Sequence, residues 1–335
     1  MGGEVAVLTL GGTISMTGDA GVKPTLGAEE LLEAVPQLRD GPLLVARSLM
    51  QMPGANLTFA RLDEVASSVR QEFSSGVEGV VVVQGTDTIE ETAFALEVLL
   101  SDLETPVVVT GAMRNPTLAG ADGPANLFAA VRSVGSGRLD GLGVTVVMND
   151  TIHSASRVQK RHASRTDAFS SFPHGPLGWF QEGQPLILDR TRIRFQAPTS
   201  VRTSVRVPVL TAAMEPDVES WRAVIESGID GLVVEAMGVG HVPEVVTPLL
   251  EAASVEIPVV LATRTRGGSV HERTYGFVGS EQHLLAMGLI SAGWLDPIKA
   301  RILTALTLRG STPDVRLAFA PVNGDGAATL PDPRP

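Results

Sequence analysis

Val5-Ala6-Val7-Leu8-Thr9-Leu10-Gly11-Gly12-Thr13 is a short apolar run that ends on two glycines and a threonine. β-Branched and aliphatic residues without a polar break read as a buried strand, and the glycines mark its exit into a turn. The same signature recurs at residues 43–46, 79–83, 106–110 and 144–148. Between these runs, residues 27–35, 61–73, 88–100 and 124–134 carry helical spacing. Continuous apolar strands alternating with helices predict a parallel sheet covered on both faces. A second series begins near residue 207, with strands at 207–210, 231–234 and 259–262 and helices at 218–226 and 242–252. Residues 280–292 and 295–309 also read as helical. The fold class is α/β: two α/β domains with mainly parallel sheets, the N-terminal one larger. Residues 1–190 form the first domain, 191–206 a linker, 207–320 the second domain, and the Gly-, Ala- and Pro-rich 321–335 a frayed tail. Residues 162–199, across the end of the first domain, read as hairpin and linker.

Composition removes several function classes. There is no cysteine, so disulfides, thiolate catalysis and Cys-based metal centres are excluded. The six histidines, at 153, 162, 174, 241, 271 and 283, form no H-E-x-x-H pair, so a metal site has no positive support. A net charge of −11 repels phosphate backbones, so nucleic acid is not an expected partner. No stretch approaches the length of a spanning helix and the first residues lack a basic leader, so a cytoplasmic protein with no membrane partner is expected.

Polar clusters follow the strands directly. Gly11-Gly12-Thr13 follows the first, Gln84-Gly85-Thr86-Asp87-Thr88 the third, Gly111-Ala112-Met113-Arg114 the fourth. In an open parallel sheet these carboxyl ends share one edge, where ligands bind. Thr13, Thr86, Asp87 and the later Lys160 can therefore converge, with Thr13 and Thr86 facing each other. Each residue also has a plainer reading. Thr13 is either a nucleophile beside backbone donors or the cap of a tight turn. Asp87 is either functional or a turn residue. Lys160 is either buried against Thr86 or a solvated charge. Thr88 with Glu91 fits a helix capping box. His241, in Met237-Gly238-Val239-Gly240-His241, either meets a ligand or marks a helix entry. Asp122-Gly123-Pro124 reads as a helix start. Residues 15–27, with Gly18, Gly21 and Gly27, read as a lid.

Taken as a set, these pieces resemble the bacterial L-asparaginase/glutaminase family, amidohydrolases with a threonine nucleophile. The resemblance rests on Leu10-Gly11-Gly12-Thr13-Ile14, Gly85-Thr86-Asp87-Thr88-Ile89-Glu90-Glu91-Thr92-Ala93 and Thr110-Gly111-Ala112-Met113-Arg114. Ala121-Asp122-Gly123-Pro124-Ala125-Asn126-Leu127, Arg157-Val158-Gln159-Lys160, His174-Gly175-Pro176-Leu177-Gly178 and Tyr275-Gly276-Phe277 follow in the family's order. It implies hydrolysis of L-asparagine to L-aspartate and ammonia, without metal or cofactor, by a homotetramer built as a dimer of dimers. It implies Thr13 as nucleophile and Thr86, Asp87 and Lys160 as a second polar triad. Gly12, Gly54, Ala55, Gly85, Thr86, Asp87, Ala112 and His241 would line the substrate, with Asp87 at its α-amino group and Ala112 at the carboxamide.

Two places depart from the family pattern. Residues 15–27 contain no Tyr, the chain's single Tyr being Tyr275. Gly54 and Ala55 fall where family members carry a Ser, often with a polar neighbour, to hold the substrate's α-carboxylate. Both departures favour, as the alternative, another small amide, a lactam or a peptide-linked amide. A non-enzymatic ligand binder that has lost turnover is the remaining alternative. If free asparagine is the substrate, its KM should be high, and Gly54→Ser should lower it.

Overall fold

The structure is a computed structural model and describes residues 3–12, 16–17, 23–24, 28–196, 202 and 204–323, with backbone alone at 16–17 and 23–24. It divides into two compact units, Met1–Arg192 and Ile193–Pro335. Thr13 and most of 15–27 lie outside the described residues, as does the tail from 324.

The first unit runs β1 (Glu4–Thr9), β2 (Met16–Thr17), β3 (Lys23–Pro24), α1 (Ala28–Glu33), β4 (Leu43–Ser48), α2 (Phe59–Ser74), β5 (Gly79–Val83) and α3 (Ile89–Leu99). It continues through β6 (Val107–Thr110), α4 (Gly123–Val134), β7 (Val144–Met148), β8 (Thr151–Ser154), β9 (Gln159–Lys160), β10 (Phe169–Ser170), β11 (Gly178–Gln181) and β12 (Gln184–Ile187). The main sheet has the order β12-β11-β8-β7-β6-β5-β1-β4. Strands β4, β1, β5, β6 and β7 are parallel, and β8, β11 and β12 extend the sheet antiparallel.

Period-2 alternation explains the two covered faces. Ala6, Leu8, Val80, Val82, Val107 and Val109 point into one core with Val65, Val69, Ala93 and Leu96 of α2 and α3. Val5, Val7, Val81, Val83 and Val108 point the other way, against Leu31, Leu127 and Val131 of α1 and α4. Strand β4, expected to be buried, is instead the sheet edge, with Leu43, Arg47 and Ser48 exposed. Its apolar pattern records one packed face, not two. The 162–199 region supplies the β11–β12 hairpin, and β8, not expected from sequence, supports it through Gly178↔Ile152.

The chain leaves β1 for β4 on one side and returns to β5 on the other. The strand order therefore reverses between β1 and β5, which is where such sheets open a crevice at their carboxyl ends. Gly11-Gly12 and Gly85-Thr86-Asp87 sit at that point.

The second unit has a parallel sheet, β13 (Val209–Thr211), β14 (Leu232–Ala236), β15 (Val259–Thr263) and β16 (Ile290–Ser291), in that order. Helices α5 (Val218–Ile225), α6 (Thr247–Glu256), α7 (Glu281–Ala286), α8 (Pro297–Leu308) and α9 (Val315–Phe319) complete it. Two expected helices have other bounds than their apolar spacing suggested, α6 being displaced and α7 shortened. Helix α6 starts only at Thr247, after a tight turn at Glu244–Val246, with Pro243 before that turn. Helix α7 stops at Ala286, because Gly288 takes φ +100 and reverses the chain into β16.

Candidate active site

The floor of the crevice is built from main chain. Gly11 and Gly12 hold φ of +98 and +96, a region side chains avoid. A Cβ on Gly12 would strike the Gly85 backbone, and one on Gly11 would lie 2.7 Å from Met52 N. Met52 N donates to Leu10 O at 3.1 Å, and Leu10 N to Val83 O at 2.8 Å. The turns after β1, β4 and β5 are thereby held together.

Gly54, in the one-turn helix Gly54–Asn56, is buried in the same junction. Its missing side chain would meet Gly85 O and Thr88 Oγ1, each at 3.0 Å. Ala55 is exposed beside it. Thr88 is not the member of a capping box: its hydroxyl makes no cap bond to α3. It donates instead to Gly54 O at 3.0 Å and accepts from Gln84 Nε2 at 3.3 Å. A tertiary partner has displaced the local one.

Thr86, Asp87 and Lys160 are brought together across more than seventy residues. Lys160 Nζ donates to Thr86 Oγ1 at 3.0 Å and to Asp87 Oδ1 at 3.0 Å. The Lys160 side chain is 15% exposed and that of Asp87 71%, so the ammonium is sheltered while the carboxylate reaches outward. Thr86 is buried. Lys160 lies on β9, whose partner is β10, with Phe169 opposite Lys160. Its backbone N–H donates to Glu90 Oε2 at 2.6 Å.

Ala112 is fully buried in the turn after β6. Asp122 fixes that turn, accepting Met113 N at 3.0 Å and Arg114 N at 2.9 Å. Asn126 Nδ2 donates to Gly111 O at 3.0 Å, and Asn126 Oδ1 accepts Asn149 N at 2.9 Å. The helix start seen in sequence is thus also a brace for two loops of the sheet edge. Glu90, Gln84 and Asn126 were not legible as site residues, because their partners are distant in sequence.

His241 belongs to the second unit. Met237 and His241 exchange backbone hydrogen bonds at 2.8 Å, closing a turn through Gly238 (φ +52) and Gly240 (φ +121). The imidazole Nε2 lies 3.2 Å from Glu281 Oε2, and the Tyr275 and Phe277 rings pack edge-on at 4.9 and 5.0 Å. Burial pushes the Glu281 carboxyl up, but the Tyr275 and Thr274 N–H groups and His241 outweigh it. The group is held below its ordinary range.

Among the described residues no three His, Asp or Glu side chains gather as a metal site, and no helix is long and apolar enough to cross a membrane.

Residues 4–193 match the family model "Asparaginase, N-terminal", and residues 206–316 the model "Glutaminase/Asparaginase C-terminal domain". The chain is 32% identical to an L-asparaginase of Bacillus licheniformis over 92% of this chain and 96% of that one. It is 29% identical to a component of the glutamyl-tRNA(Gln) amidotransferase of Methanosphaera stadtmanae, over 88% of this chain and 69% of that one. A solved structure described as a probable cytoplasmic L-asparaginase from Campylobacter jejuni superposes with a TM-score of 0.84 at 31% identity, covering 95% of this chain and 99% of the other. Two family models that together span both α/β units, and relatives matched almost end to end, place this chain in the bacterial L-asparaginase/glutaminase family as an asparaginase-type amidohydrolase.

Proposed function

We propose that the chain hydrolyses L-asparagine to L-aspartate and ammonia, with Thr13 as nucleophile. The observation that carries this reading is the Lys160–Thr86–Asp87 cluster, with both bonds at 3.0 Å, at the reversal point of the family's sheet. In the proposed reaction the Thr13 hydroxyl adds to the carboxamide carbon, and main-chain N–H groups around Gly12 and Ala112 face the oxyanion. The C–N bond breaks, ammonia leaves carrying the proton that the Thr13 hydroxyl gave up, and an ester remains on Thr13. Water then cleaves the ester. Thr86 receives its hydrogen bond from Lys160, so its own proton is left to point at the substrate. The outward carboxylate of Asp87 suits a substrate ammonium. Gly12 and Gly85 let the turns after β1, β4 and β5 pack closely beneath the ligand, and a homotetramer is the assembly we propose. By likeness to the Campylobacter protein's description, the site of action is the cytoplasm.

Ammonia release with asparagine and glutamine tests the reading. Thr13→Ala should lower turnover by about a thousandfold or more while the fold persists. Turnover by Thr13→Ala equal to wild type would exclude Thr13 as nucleophile.

A second reading keeps the chemistry and changes the substrate to a small amide lacking a free α-carboxylate. Gly54 favours it: it offers no side chain to hold a carboxylate, and Gly85 O and Thr88 Oγ1 stand close, 3.0 Å from where a Cβ would be. A panel of asparagine, capped asparagine and lactams separates the two by kcat/KM.

A further inference from the structure

We propose that Glu90 is a positioning residue that sets where the Lys160 ammonium sits. This rests on reading Lys160 as part of the catalytic machinery. The stretch from Thr86 to Glu90 holds Lys160 at both ends. Thr86 and Asp87 take its Nζ, each at 3.0 Å, and Glu90 takes its backbone N–H at 2.6 Å. The lysine's origin and its tip are thus referred to one rigid piece of chain.

The rigidity has a visible source. Glu90 stands in the first turn of α3, whose Ile89, Ala93, Phe94 and Leu96 are fully buried. A carboxylate at a helix start is favoured by the helix dipole. Strand β9, by contrast, is two residues long and pairs with an equally short β10. Arg161 N donates to Ala168 O at 2.7 Å on that side, and Glu90 ties the Lys160 backbone toward the helix. Without Glu90 that backbone loses its reference to α3 and keeps its pairing with β10. A charged acceptor makes a stronger bond than a neutral one, but an amide oxygen can accept the same N–H. The role therefore needs an acceptor, not a charge.

The test compares Glu90→Ala, Glu90→Gln and Lys160→Met with wild type, using whichever amide wild type turns over fastest. Displacing a catalytic group by about 1 Å can lower rate by about a hundredfold. Glu90→Ala should lower kcat by about ten- to a hundredfold with KM within about twofold, and Glu90→Gln should recover most of it. Crystal structures should show the Lys160 Nζ moved from Thr86 Oγ1 in Glu90→Ala and back in Glu90→Gln. The proposal is overturned if Glu90→Ala keeps kcat within twofold, or if Glu90→Gln is as slow as Glu90→Ala. It is also overturned if the Nζ stays in place in Glu90→Ala, a result readable even without turnover. Lys160→Met at wild-type rate would sink the reading of Lys160 itself. Lys160→Met inactive beside an active Glu90→Ala would sink the proposal for Glu90 alone.

Discussion

At the scale of single residues, the decisive geometry is what glycine leaves room for. Gly54 was expected to be a lost serine that could be restored. A Cβ there would lie 3.0 Å from Gly85 O and from Thr88 Oγ1, so both must give by a few tenths of an ångström. Inserting atoms into such a junction typically costs about 1–3 kcal/mol. Gly54→Ser should therefore lose about that much stability in urea titration and lower kcat/KM for asparagine. Ala55→Ser, at the exposed neighbour, should keep wild-type stability. A stable Gly54→Ser enzyme with a lower KM would show that the turn yields and that a hydroxyl there reaches the substrate.

At the scale of elements, strands and helices of the parallel core were legible because their apolar periodicity is local. Residues 79–83 and 144–148 are strands at those bounds. Strand β8 and the stop of α7 were not legible, since one depends on a partner, Gly178↔Ile152, and the other on a single glycine conformation. Of the site, Thr86 and Asp87 could be anticipated from their place directly after a strand, and Lys160 only from the stretch Arg157-Val158-Gln159-Lys160 that carries the resemblance. Glu90 could not, because nothing near it in sequence announces its bond to Lys160. Strand β8 also carries a titratable group. His153 is buried, bonds Ser171 Oγ through Nδ1 at 2.8 Å, and its Nε2 has no partner among the described residues. Burial pushes the imidazole down from 6.5 to about 4. Between those values the unfolded chain takes up a proton that the folded one refuses, so stability falls as pH falls. The loss approaches about 3 kcal/mol below the lower value. Wild type should thus lose thermal stability from pH 6.5 toward 4, and His153→Gln should lose about one proton's worth less. Parallel pH profiles for the two proteins would exclude His153 as the source. Ser171 follows β10 directly, so the same proton would disturb the strand that pairs with Lys160.

At the scale of the whole chain, the first unit is closed by a buried ion pair at its last residue. Arg192 Nε lies 2.9 Å from Glu97 Oε1, with side chains 7% and 4% exposed. Glu97 Oε2 also accepts Val144 N at 2.6 Å, and Arg192 Nη1 donates to Leu103 O at 3.1 Å. The pair ties α3, β7 and the chain's exit from the unit to one carboxylate. Removing one member of such a pair leaves the other charge buried, typically at about 3–5 kcal/mol. Glu97→Ala should show that loss in chemical denaturation, and a change below about 1 kcal/mol would mean that the exposed Glu104, whose Oε2 lies 3.7 Å from Arg192 Nη1, takes over the arginine.

The glycine junction has a consequence for how this chain can change over generations. Its ground is peptide backbone from three turns, and peptide backbone is the same whatever the codons around it say. Drift in neighbouring side chains leaves that ground untouched, while any codon change that replaces Gly11, Gly12 or Gly85 brings a Cβ against another strand's turn. New substrate preferences must therefore arise from the rim, at exposed positions such as Ala55, where selection can try one side chain after another above a base that stays as it is.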